Sequence, residues 1–149
     1  MMYAYNNEIR CLGFLDFEKR GIYFLQQCAH DTNQISAKFI LRQIINRQRK
    51  HLSQIDNEVK YLDRKQAWAD IFRLDPFRQL SEAYDTMTLN FIEAFEIAMR
   101  LTELQSEIYR QACLQLAEVN PQTICRQILK AKKVHFHELK NEYERINLK

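Results

Sequence analysis

Glu18 and His51 are 33 residues apart, and so are Thr102 and His135. The matched spacing comes from an internal repeat. Sliding the chain by 84 residues lays Cys11 to Leu62 on Phe95 to Ile146, 52 positions with eight identities. The identities cluster: Ile40-x-Arg42-Gln43-Ile44 falls on Ile124-x-Arg126-Gln127-Ile128, His51 on His135, and Asn57-Glu58 on Asn141-Glu142. A shared block and a shared histidine at one offset point to a duplicated unit.

Helical periodicity decides where these residues point. In steps of three and four, Ile40, Ile44, Ile55, Val59 and Leu62 form one apolar stripe, interrupted by Gln48 and His51. Ile124, Ile128, Leu139, Tyr143 and Ile146 form another, interrupted by Lys132 and His135. Glu18 lies between Leu15 and Ile22, and Thr102 between Ala98 and Tyr109. Six polar side chains are therefore expected at one level of the core, where they must satisfy each other, water or a metal. Two chemistries fit. Glu18 and Lys132 can form a buried ion pair within a hydrogen-bonded network, which is the expectation here. Alternatively, Glu18, His51 and His135 form a set of two histidines and one carboxylate suited to mononuclear non-haem iron or zinc, provided both imidazoles reach one ion. His137 is about 200° around the helix from His135, so the His-x-His pair cannot chelate one metal and His137 is expected to face solvent.

The pattern within each repeat resembles the rubrerythrin branch of the ferritin-like superfamily, over nearly the whole chain outside the central connection. In that family the first helix of each hairpin supplies a glutamate, commonly in a Glu-x6-Tyr context, and the second supplies Glu-x-x-His. Here Glu18 stands at the first glutamate, with Leu25 in place of the tyrosine, and Gln48-Arg49-Lys50-His51 at the first Glu-x-x-His. Thr102 replaces the second glutamate while Tyr109 keeps the tyrosine, and Lys132-Lys133-Val134-His135 replaces the second Glu-x-x-His. The resemblance implies a di-iron centre of four carboxylates and two histidines that has degenerated: Gln48, Thr102 and Lys132 mark lost ligands. It also implies a homodimer. The expected role is structural or interactive. The alternative is a metal-dependent oxidoreductase or iron-handling protein using iron or zinc at Glu18, His51 and His135.

Four long helices must position these residues: about 7–29, from Ser36 to the low 60s, about 86–117, and from Asn120-Pro121 to the end. Ser36 and Asn120 are the expected N-caps, and Pro121 suits a first helical position. Each helix is roughly 25 residues, or about 37 Å. The stretch of about 64–85, with Trp68 and Leu74-Asp75-Pro76, is too long for a hairpin turn and is expected to be the one long crossover, with room for a short helix of its own. The expected fold is thus all-α, a ferritin-like antiparallel four-helix bundle forming one domain over 1–149, with hairpins at about 7–63 and 86–149.

Composition supports this class. Two glycines and two prolines in 149 residues leave few of the turns that sheet folds need. A hydrophobic content of 46% is enough for a core, and no apolar run approaches the ~20 residues of a membrane span. The net charge of +3 is mild, and the basic residues of the second and fourth helices alternate with acids, so no nucleic-acid partner is expected. Cys11, Cys28, Cys113 and Cys125 lack metal or redox spacing and are expected to be reduced and packed. The amino terminus has no signal-peptide character, so a cytoplasmic location is expected.

Overall fold

The computed structural model describes residues 13–65 and 76–147, which form five helices among short connections: α1 (Phe14–Asp31), α2 (Ile35–Lys65), α3 (Pro76–Ala83), α4 (Phe91–Gln115) and α5 (Val119–Asn147). The described chain is all-helical. α1 packs on α2 and α4 on α5, while α2 bridges to both α4 and α5 and α3 rests on α4. No helix among the described residues is long and apolar enough to cross a membrane. Cys11, Trp68, Leu74 and Asp75 lie outside the described residues.

The repeat offset reappears in the element boundaries. α1 ends at Asp31 and α4 at Gln115, while α2 begins at Ile35 and α5 at Val119, both pairs 84 residues apart. The first helical bonds of α2 and α5, from Lys38 N to Gln34 O and from Gln122 N to Glu118 O, are likewise equivalent. Both helices start one residue before the expected caps, so Ser36 and Asn120 sit in the first turn instead of capping it, and Pro121 is the third helical residue. A proline there still costs nothing, because the first turn's N–H groups have no intrahelical partner. α4 begins at Phe91, later than expected, behind an Asn90/Glu93 capping box that satisfies two backbone donors reciprocally.

The connection between α2 and α4 contains α3. Its Phe77 and Leu80 are buried, and the Phe77 ring meets Phe17 and Phe24 of α1 at centroid distances of 5.5 and 5.9 Å. Burying one such ring is worth about 2–3 kcal/mol, enough to hold a two-turn helix that would not persist alone.

The amino end of α1 is capped from a distance. Gly13 has no side chain to offer, and Asp63 near the end of α2 accepts hydrogen bonds from Phe14 N at 2.8 Å and Leu15 N at 3.1 Å. A Cβ on Gly13 would lie 2.5 Å from the Asp63 carboxyl, so the glycine is what admits the carboxylate. The negative charge also meets the positive end of the α1 dipole. Asp63→Ala is expected to lower stability by about 1–2 kcal/mol in urea denaturation, with Asp63→Asn losing less because the amide oxygen still accepts one bond.

Candidate functional site

The core is split. One apolar cluster gathers Phe24, Leu41, Ile44, Phe95 and Leu101 with their neighbours, and the other gathers Phe14, Val59, Leu62, Tyr109 and Ile128. On each long helix the polar positions fall between the two: Glu18 after Phe14, Gln48 after Ile44, Thr102 and Gln105 before Tyr109, Lys132 after Ile128. A polar layer thus crosses the bundle at the level the periodicity predicts. Glu18, Gln48, Thr102 and Lys132 are buried, and His51 and His135 are half-buried.

At the centre of the layer, Lys132 Nζ of α5 donates to Glu18 Oε2 of α1 at 2.6 Å, with both residues no more than 3% exposed. Lys132 Nζ also donates to Gln105 Oε1 of α4 at 3.4 Å. The tyrosine hydroxyl of Tyr109 is fully buried, and its pKa is raised well above the usual value by burial and then by the Glu18 charge beside it, so it stays a neutral proton donor. It feels the carboxylate but stands outside hydrogen-bond geometry with it. Phe14 stacks on its ring at 4.4 Å and closes that side of the layer.

The two histidines flank the ion pair. Burial, followed by the Lys132 charge, pulls both imidazoles below their ordinary pKa of 6.5, against a smaller opposing pull from Glu18 on His51 and from Glu142 on His135. His135, which also feels His51 and Arg47, is held down to about 4. Both are neutral at neutral pH. Outside His135, Arg47 of α2 clasps Glu142 of α5 through two bonds, at 2.7 and 3.2 Å.

Two residues depart from expectation. Thr102 does not join the network: its Oγ1 donates to Ala98 O one turn back at 2.9 Å, so its polarity is spent on its own helix. Gln105 takes its place, fully buried, in room made by Gly21, where a Cβ would stand 2.6 Å from Gln105 Nε2. Gly21 and Gln105 are repeat equivalents, so an empty position in one hairpin is filled by the long side chain at the same position in the other. The stripe through Phe91, Phe95, Ala98 and Thr102 reaches Gln105 on its next step of three, a signal available in the sequence.

The residues present do not suit a di-iron centre. A lysine ammonium sits against the one remaining carboxylate, Thr102 turns away, and a neutral amide stands at Gln48. Among the described residues no three His, Cys, Asp or Glu side chains group as metal ligands, so Glu18, His51 and His135 are brought to one layer without forming such a group. Glu18 Oε1, Gln48 Nε2, Gln105 Nε2, Tyr109 Oη and the Nε2 atoms of both histidines have no hydrogen-bond partner among protein groups. His137 is exposed as expected, against the Phe136 ring. His30, expected in a loop, is in the last turn of α1, exposed and 3.3 Å from Asp31. Cys28, Cys113 and Cys125 are free and buried, and burial pushes the Cys28 thiol up to about 12, removing it from thiolate chemistry.

No family model, curated protein or solved structure matches this chain.

The depressed His135 pKa has a consequence for stability. Below pH 6.5 the unfolded chain takes up a proton that the folded imidazole refuses, so stability is lost as the pH falls toward about 4. The loss amounts to about 3 kcal/mol across that window. Urea denaturation of wild type and His135→Gln between pH 7 and 4 should show the variant falling less steeply; parallel slopes would mean that His135 is not held neutral. A second expectation concerns the ion pair. Lys132→Met strands the Glu18 carboxylate and should cost about 3–5 kcal/mol, whereas Glu18→Gln with Lys132→Met should recover most of that cost. A neutral Lys132→Met would mean that the pair contributes nothing.

Proposed function

We propose that the protein is a non-catalytic helical bundle of the ferritin-like, rubrerythrin-related kind, in which a di-iron carboxylate site has been converted to an internal ion-pair network and the chain serves a structural or interaction role. The observation that carries the reading is the Lys132 ammonium, 2.6 Å from Glu18 in the polar layer between the two halves of the core. A tethered monocation there compensates the carboxylate that a dication would otherwise require, and repels any dication approaching the same oxygen. The shared helix boundaries at the 84-residue offset support descent from a duplicated hairpin. α3 then lies in the crossover between the copies.

A chemical role needs a reactive group within reach of a substrate, and the central pair of the layer supplies none. Lys132 is engaged with Glu18 and Gln105, and Tyr109 is held protonated. The histidines are available as neutral bases, but Glu18 and Lys132 are buried beneath the surface, away from any substrate in solvent. Function is therefore assigned to the outside of the bundle.

Metal content decides between this reading and a metal-dependent enzyme. Purified protein incubated anaerobically with Fe(II), or with Zn(II), and desalted should retain no stoichiometric metal by elemental analysis. Stoichiometric metal that disappears in His51→Ala or His135→Ala would overturn the proposal and install the metalloprotein in its place. The triple variant Gln48→Glu, Thr102→Glu, Lys132→Glu restores the implied carboxylates. It should bind iron if the repeat alignment is correct, and a folded triple variant that takes up none would count against the ferritin-like descent.

A further inference from the structure

The outer face of α2 joins exposed apolar side chains to cations with no ion-pair partner among the described residues. The inner face of the helix is occupied by Ala37, Ile40, Leu41 and Ile44, all buried. On the opposite face, Ile35 is 83% and Phe39 60% exposed, one turn apart, and Arg42 follows one turn further on. Ile35 and Phe39 thus form a small apolar step on the solvent side of the helix, beside the Arg42 guanidinium.

Beside this face, α1 and α2 enclose a groove of about 280 Å³. Its cations are Lys38, Arg42 and Arg49, with Gln26 and Asn46 as neutral donors and acceptors between them. Lys38 is committed, donating to Ala29 O at 2.9 Å and His30 O at 3.1 Å, where it caps α1 and closes the end of the groove. Arg42 and Arg49 have no carboxylate within ion-pair distance among the described residues. They stand two turns apart, about 10 Å along the axis.

The equivalent groove of the second hairpin supplies the contrast. It is lined by Arg110, Leu129 and Lys133, the repeat counterparts of Gln26, Ile45 and Arg49. There, however, α4 contributes Glu103 and Glu107, and Glu107 pairs with Arg110 at 2.5 Å. That groove neutralises itself. The first groove has the same architecture and no carboxylate in its lining, so it carries an uncompensated positive charge that suits an anionic partner.

The geometry points to the α1–α2 groove and the adjoining Ile35/Phe39 face as a docking site for an acidic, apolar peptide segment of a partner protein. Carboxylates of the segment pair with Arg42 and Arg49, and its apolar side chains cover Phe39 and Ile35. A concave groove with two spaced guanidiniums favours a peptide over a flat lipid surface, because carboxylates at matching spacing can each meet a guanidinium's planar donor fork. Acidic residues two turns apart on a helix, or about three apart on an extended chain, supply that spacing. The proposal rests on the reading of the chain as an interaction protein.

The test uses the 149-residue chain and a fluorescein-labelled peptide with Glu or Asp at every third position and Leu and Phe between, read by fluorescence anisotropy over a salt series. The control peptide carries Lys at every acidic position. Binding of the acidic peptide alone, weakening as salt rises, is expected. Arg42→Glu, Arg49→Glu and Phe39→Ser should each weaken it by about tenfold or more, and the milder Arg42→Gln by less. Lys133→Glu in the self-neutralised groove should leave binding unchanged. Equal binding of both peptides, or indifference to Arg42 and Arg49, would overturn the assignment. So would sedimentation with phosphatidylserine/phosphatidylcholine vesicles that depends on Phe39 and Arg42 in the absence of peptide binding, which would give this face to an anionic membrane instead. A failure here is separable from failure of the metal-free reading, because metal content responds to the polar layer and not to the outer face of α2.

Discussion

Two opposite charges, contributed by helices at opposite ends of the chain, are buried against each other between two apolar clusters. Glu18 and Lys132 are 114 residues apart in sequence and 2.6 Å apart in space. Neither charge could be desolvated alone, since removing one ion from water costs several kcal/mol that only a close partner returns. Each therefore makes the other's position obligatory. α5 must lie where Lys132 reaches α1, and Gln105 of α4 must lie where its amide oxygen accepts a second ammonium proton. Such a pair adds little net stability over an apolar core of the same shape. What it supplies is registry, because sliding α1 or α5 by one turn leaves a charge unmatched, and sliding α4 takes an acceptor from the ammonium.

The two hairpins share a scaffold and divide its contents. The turn between the two helices falls at equivalent residues in each, but equivalent core positions differ in content: Gly21 against Gln105, Glu18 against Thr102, Gln48 against Lys132. At one of these positions the two copies interlock. Gly21 illustrates the coupling, since the glycine has no role in backbone conformation and is explained entirely by the Gln105 amide lying against it. The same division extends outward, where Glu107 neutralises one groove and no carboxylate among the described residues neutralises the other. Under the proposed reading, the interior became inert while the exterior diverged, which is the pattern expected once selection acts on contacts and no longer on a reaction.

Much of this was legible before the structure. Helical stripes placed Gln48, His51, Lys132 and His135 on inward faces because a period of 3.6 residues leaves little freedom in where a side chain points. The buried ends of those stripes, such as Val59, Leu62, Ile128 and Leu139, are where the periodicity puts them. The errors have local causes. Ser36 and Asn120 look like caps because their side chains could accept backbone bonds, yet the helices begin one residue earlier, at Ile35 and Val119. Asn90 and Glu93 carry the pattern of a capping box that the apolar stripe overshadowed. Asp63, 49 residues from the helix end it caps, has no local signature at all.

The sequence by itself determined the helices, their pairing into two equivalent hairpins and the level at which polar residues interrupt the core, because all three follow from periodicity and repetition along one chain. Periodicity also named Glu18 and Lys132 as an ion pair, and the structure joins them, but which of the other polar residues meet was decided only by the tertiary structure. Thr102 had a partner one turn back on its own helix, and Gln105 had none until Gly21 made space for it. The groove beside α2 likewise exists only once α1 lies against it. Hydrogen bonds and ion pairs act over about 3 Å, and no spacing along separate helices specifies distances that short across the gap between them.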